Sequence, residues 1–204
     1  KDRSWGIRPV GEPYTGGAPL DPRRVMHFMW LPLHWSNQCT LAGMFEYEDG
    51  YQWHSDQVIL PAYNKPDLIP GMTDSGSQHW QGIVNHRLQF EPSTRFAKSG
   101  SLTMNNRQGE SMEISVEPLL RHHMKGLGYQ NPEWGHGRWQ GELKVGAEFW
   151  KLDELDPLAF ENLHVQQVVK ARCGNDIGYG VLEQFHMGPY EPYGFTGYFD
   201  GYKG

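Results

Sequence analysis

The chain reads as an all-β protein, an antiparallel β-barrel of about nine or ten short strands with little helix. Three observations predict this. Apolar and polar residues alternate with period two through much of the chain, as on a half-buried strand. The 25 glycines and 14 prolines interrupt those stretches at short intervals, which suits turns and not long helices. Rings are plentiful, with 8 Trp, 10 Tyr and 9 Phe, so a curled wall of strands has bulky side chains for its interior.

The opening stretch Asp2-Arg3-Ser4-Trp5-Gly6-Ile7-Arg8-Pro9 alternates, with Arg3, Trp5 and Ile7 on one side and Asp2, Ser4, Gly6 and Arg8 on the other. Residues 13–24 are rich in Gly and Pro and read as an irregular excursion. Residues 25–35 are apolar on both faces, and Pro32 within them predicts an edge strand or a bulge. Residues 41–48 and 51–60 flank Asp49-Gly50, the dipeptide of a two-residue type I′ hairpin. After a loop over 64–76, strands are expected over 79–90 and 95–104. Residues 105–109 turn into 111–117, where Met112, Ile114 and Val116 face in and Ser111, Glu113, Ser115 and Glu117 face out. A long loop over 122–137 follows, and alternation returns over 138–149 with Trp139, Leu143, Val145 and Phe149 on one side. One short helical turn is expected over 153–160, limited by Pro157. The last strands are 163–173 and 180–188, and the Gly/Tyr-rich stretch beyond is assigned no element.

At 204 residues the chain is read as one domain, 1–204, long enough to bury a core. A net charge of −6 and the lack of a Lys/Arg run argue against nucleic acid as a partner. No apolar run reaches the roughly 18 residues of a membrane-spanning helix. Two cysteines, Cys39 and Cys173, are too few for a disulfide scaffold; they fit a reducing, cytoplasmic compartment and leave open whether they pair. His122 and His123 are adjacent, and no H-x-H or H-x-x-x-H pair occurs, so no metal or other cofactor is expected.

Two readings of the opening stretch stand side by side. Trp5 can plug the closed end of a barrel with Arg3 stacked on it as a cation–π pair. Alternatively, Asp2 and Arg3 line a cavity and polarise a ligand there. Glu183 shares a face with Val181, Phe185 and Met187, and a carboxylate turned into an apolar lumen would have a raised pKa and could exchange a proton. His136 lies between glycines in the long loop, near Trp134 and Trp139, where a barrel mouth would be. His34 and His86 sit on strands of mixed faces and read first as structural histidines.

The motifs Asp2-Arg3-Ser4-Trp5-Gly6-Ile7-Arg8, Phe28-Met29-Trp30-Leu31-Pro32-Leu33 and Trp134-Gly135-His136-Gly137-Arg138-Trp139-Gln140-Gly141-Glu142-Leu143 stand in order, followed by Gly180-Val181-Leu182-Glu183-Gln184, Gly188-Pro189-Tyr190 and Tyr193-Gly194-Phe195. As a set they resemble the lipocalin-like superfamily that contains carotenoid hydratase (hydroxyneurosporene synthase) and lipocalin-like pericyclases. The resemblance implies a lipocalin-like barrel that is the C-terminal half of a longer two-barrel protein, with the N-terminal barrel as its partner. Trp5 carries over from the family's motif, whereas Arg3 stands where the hydratase branch has a catalytic-type His. The implied function is binding of a hydrophobic small molecule (terpenoid, steroid, polyketide or lipid-like) in a barrel cavity, with cofactor-free hydration or dehydration, isomerisation or cyclisation. In that reading Arg3, Asp2 and Glu183 are the catalytic candidates, and Trp5, Arg8, Trp30, His34, His136 and Trp139 the ligand contacts. The alternative is a non-catalytic carrier of a lipophilic ligand, or a structural half of a two-barrel protein.

Overall fold

The computed structural model describes residues 26–70, 76–125, 131, 133–134 and 139–204. Nine antiparallel strands form one curled, barrel-like sheet: β1 (Met26–His34), β2 (Gln38–Glu46), β3 (Gln52–Pro61), β4 (Gln78–His79), β5 (Asn85–Phe90), β6 (Ala97–Asn105), β7 (Ser111–His123), β8 (Val165–Cys173) and β9 (Asp176–Met187). Their order across the sheet is β4-β3-β2-β1-β9-β8-β7-β6-β5. Among the described residues helix is confined to short 3-10 turns, and no helix there is long and apolar enough to cross a membrane.

Alternation decides the inner face. Met29, Leu31 and Leu33 of β1, Ala42 and Met44 of β2, Leu102 and Met104 of β6, and Ile114 and Val116 of β7 are all buried. They meet Leu88, Phe90, Val169, Ala171 and Leu182 in one continuous core. The centre expected to be an oily chamber is, among the described residues, filled by these side chains. Burying each large one is worth roughly 1.5–3 kcal/mol relative to exposure, so this core is the main source of stability.

β4 and β5 end the sheet and do not pair with each other. Side-chain amides close the gap instead. Gln52 Nε2 donates to the Val84 carbonyl (3.0 Å) and its Oε1 accepts from the Val84 N–H (2.8 Å). Gln57 repeats the pattern on Asn105, with 3.1 Å to the carbonyl and 2.7 Å from the N–H, and also donates to Gly82 O at 2.7 Å. Each glutamine thus presents a peptide-like amide where a neighbouring strand would be. The same device ties the start of β6 to β9: Gln184 accepts from Ala97 N–H (3.1 Å) and donates to Arg95 O (3.1 Å).

One end of the barrel is covered by residues 188–202. Buried Arg95 organises that cover. Its guanidinium donates to the carbonyls of Asp200 (2.7 Å), His186 (3.2 Å), Gly188 (2.8 Å) and Gly197 (2.8 Å) and pairs with the Asp200 carboxylate at 2.5 Å. It also lies 4.3 Å from the centre of the Phe195 ring.

Several expectations are corrected. Pro32 lies on an interior strand, between β2 and β9, and not at an edge; the β1–β9 ladder skips Leu31 and Pro32, where a proline without an N–H does least harm. Gly180 faces that gap, and a Cβ there would sit 1.9 Å from Pro32 O. The Asp49-Gly50 turn is longer than two residues: Gly50 N–H donates to Tyr47 O and Gly50 adopts φ +80°, with Tyr47 N–H bonded to Tyr51 O. Residues 139–149 form no strand despite their alternation; Trp139, Leu143, Val145 and Phe149 are exposed. The stretch 79–90 is broken at 80–84, the residues that cross the seam.

Candidate functional site

Two of the inward faces end in polar residues. On β2 the inward series Thr40, Ala42, Met44 finishes at Glu46; on β5 the series Phe90, Leu88 finishes at His86. Curling brings these two strand ends together across the seam. His86 Nε2 lies 3.1 Å from both carboxylate oxygens of Glu46. The glutamine that closes the seam joins them, with Gln52 Nε2 donating to Glu46 Oε1 at 2.8 Å. Two tyrosines arrive from the C-terminal cover. Tyr190 donates its hydroxyl to Glu46, and the hydroxyl of Tyr193 lies 2.5 Å from His86 Nδ1 while accepting the N–H of Leu88 at 3.0 Å. The result is a continuous chain of hydrogen bonds: Tyr190–Glu46–His86–Tyr193.

With His86 neutral, that chain has one consistent polarity. Tyr193 donates to Nδ1, and Nε2–H donates to Glu46. Burial pushes the Glu46 carboxyl up, but the hydrogen bond from His86, the charge of that ring whenever it is protonated, and the donors of Tyr190 and Gln52 outweigh it and hold the group below its ordinary value. Burial raises both phenols, and the bonded Glu46 carboxylate raises Tyr190 further. Glu46 is therefore the anion and the tyrosines are neutral donors. A proton delivered to His86 would give an imidazolium held between the carboxylate and the Tyr193 oxygen, so the unit can store one proton.

His27 supports Tyr190 from behind. Its ring stacks on the phenol with 3.9 Å between centroids and 18° between planes, and its Nε2–H donates to Pro189 O at 3.0 Å. Burial lowers its pKa to about 4, so it is neutral at pH 7. His186, next in the stack and fully enclosed, is pushed well below its ordinary value by burial, and neither of its ring nitrogens has a hydrogen-bond partner among the described residues.

Glu46, His86 and Tyr190 form part of the wall of a cleft of about 730 Å³. β5 is an edge strand, so the cleft wraps its free side. Arg87, Ser101, Thr103 and Glu113 contribute from the outer face, and Gly50, Ile83 and Pro192 from the turns on the other side. A second polar cleft of about 610 Å³ lies beyond Ile83, lined by Asp56, His79 and Arg107 among others. Among the described residues no cluster of three or more His, Cys, Asp or Glu is placed to hold a metal ion.

The residues singled out from sequence fall elsewhere. Asp2, Arg3, Trp5, Arg8 and His136 lie outside the described residues. Glu183 does share a face with Phe185 and Met187, but that face is the outer one. There it accepts from His164 Nε2 (2.7 Å) and Gln166 (3.0 Å), beside an outer cluster of Phe28, Leu163 and Phe185. Trp30 packs on the same outer cluster and stands opposite Glu183 in the β1–β9 register, so these two are brought together. His34 is exposed at the end of β1, with Nδ1 3.2 Å from Cys39 Sγ, and Trp139 is exposed on the irregular segment. Cys39 and Cys173 are both free.

Glu46, Tyr190 and Tyr193 were not among the sequence candidates, and His86 was read as structural. A signal did exist: a carboxylate and an imidazole each continue the apolar face of an alternating strand, where they need a partner.

A family model described as a family of unknown function (DUF8625) matches residues 1–196, and the chain belongs to that family. No curated protein and no solved structure matches it.

Proposed function

We propose that this member of the DUF8625 family binds an organic small molecule in the seam cleft and moves a proton on it without a cofactor, in an isomerisation or a hydration–dehydration. One observation carries the reading. A buried, ionised carboxylate, a bridging imidazole and two neutral phenols form a single hydrogen-bonded unit in the wall of a cleft. Groups of the same kinds that share a site with protonation states held apart are the ordinary equipment of general acid–base catalysis. In this reading the Glu46–His86 pair takes the proton and returns it, and the phenols of Tyr190 and Tyr193, hydrogen-bonded to that pair, hold its geometry. Ile83 and Pro192 offer the apolar surface for the rest of the molecule. The resemblance to the lipocalin-like superfamily points to the same substrate kind, a lipophilic body carrying a carbonyl or hydroxyl group. The filled core is why the guest is assigned to the cleft and not to the barrel axis.

The test begins with capture. The purified protein is exposed to lipid extract and washed, and the retained compounds are identified by mass spectrometry. They are then incubated in D2O with the wild type and with Glu46→Gln. The expected result is retention by both proteins, with deuterium entering the molecule or its product only in the wild type. Retention of nothing, or equal exchange by both, overturns the proposal.

A further inference from the structure

We infer that the molecule taken by this cleft ends in a carboxylate, and that Arg87 grips it. The inference rests on the seam cleft being the binding site and adds the ligand's chemical class. Of the described arginines, Arg95 is engaged with Asp200 and the carbonyls of the C-terminal cover and Arg121 with Glu91 at 2.5 Å, while Arg107 and Arg172 have no ion pair among the described residues but lie outside this cleft. Arg87 lines the cleft, is exposed, and has no hydrogen bond or ion pair among the described residues. Its planar fork of donors matches a carboxylate.

The backbone adds a second donor. Among the described residues β5 has no neighbouring strand on its free edge. The N–H groups of Val84 and Leu88 point to that edge, where they meet Gln52 and the Tyr193 hydroxyl. Amides two residues apart point the same way, so the N–H of His86 between them is turned to the cleft as well. A carboxylate lodged along this edge would take the guanidinium from one side and the amide from the other.

The acids of the cleft favour the same orientation. Glu46 already accepts from His86, Tyr190 and Gln52, which leaves it little capacity for a cationic guest. Glu113 lies in the sheet row of Thr103 and Asn85, whereas Arg87 shares its row with Ser101 and Ser115. An anion therefore settles at the Arg87 row, away from Glu113, and leaves its chain over Ile83 and Pro192.

The experiment uses octanoate, octanol and octylamine as probes, titrated into 15N-labelled protein by NMR, with Arg87→Gln and Arg87→Lys as variants. Arg87 is an exposed surface residue, so both variants are expected to keep the wild-type spectrum. Octanoate is expected to bind at least tenfold more tightly than the other two and to shift the amides of residues 84–87. Arg87→Gln is expected to lose at least tenfold for octanoate and nothing for octanol, with Arg87→Lys in between. Equal binding of octanoate and octanol, preference for octylamine, or octanoate affinity unchanged in Arg87→Gln overturns the carboxylate assignment and leaves the cleft as the site. If none of the three shifts residues of the cleft, the cleft reading itself fails, and this inference with it.

Discussion

The imidazole of His27 makes the stability of this protein sensitive to mild acid. In the unfolded chain a histidine takes up its proton near pH 6.5; in the fold, burial against Tyr190 and His186 lowers His27 to about 4. Between those values the unfolded chain binds more protons than the native one, so stability falls as pH falls. The shift corresponds to about 3 kcal/mol, present in full above pH 6.5 and lost on approaching pH 4. His27→Phe keeps a ring against Tyr190 and removes the titration. At pH 7 it gives up the hydrogen bond to Pro189 O, about 1 kcal/mol. Urea unfolding followed by tryptophan fluorescence at half-unit steps from pH 7 to 4 reads both effects. The wild type is expected to lose about 3 kcal/mol more than the variant over that range. His186 is present in both proteins, so the part of its shift that comes from its own burial drops out of the difference. Identical losses in the two proteins would refute the reasoning, because His27 would then titrate alike folded and unfolded.

The other predictions concern the devices that hold the barrel together. Arg95→Met strands the Asp200 carboxylate and the carbonyls of Gly188 and Gly197, and is expected to cost about 3–5 kcal/mol by urea unfolding; a cost below about 1 kcal/mol would mean the clamp is incidental. Burial raises the Asp200 carboxyl, but the N–H groups of Thr196 and Gly197 and then Arg95 lower it to about 2 overall. Its contribution is accordingly present above about pH 4 and lost as pH falls toward 2, and Asp200→Asn should flatten that part of the profile. Gln57→Ala removes the amide that stands in for a strand at Asn105; it should cost about 2 kcal/mol and speed hydrogen exchange at the Asn105 amide while leaving the β1–β9 amides protected. Gly180→Ala drives a Cβ to 1.9 Å from Pro32 O, and expression trials should yield no folded protein, whereas Gly174→Ala, with no atom within 4 Å, should cost only about 1 kcal/mol.

How far the sequence reaches can be judged from particular residues. Ser111 to Glu117 alternates strictly, and β7 places Ile114 and Val116 inside as expected. The hairpin about Gly50 was visible because a left-handed turn residue sits between two aromatic-rich arms. Residues 139–149 alternate as clearly and form no strand, because pairing needs a partner edge and period two alone does not supply one. Parity placed Glu183 with Phe185 correctly, but parity does not say which face is inner. Here the outer face carries a buried cluster of its own. The Glu46–His86 pair escaped notice for a topological reason. The strands that bear it are at positions three and nine of the sheet order and meet only through its curl. The tyrosines that complete it come from a Gly-rich stretch without periodicity, held in place by Arg95, a contact between residues about a hundred positions apart that no local pattern encodes.

In the function proposed here the guest sits at the seam, against Glu46 and His86. Compound retained from lipid extract, added to protein labelled with 13C and 15N, tests it most directly by NMR. The His86 ring, the Arg87 amide and the Ile83 methyl groups are expected to move together and saturate at one equivalent. Shifts centred instead on the core methyl groups of Met29 and Leu102, or on Trp30 and Phe185 of the outer face, with His86 unmoved, would contradict it.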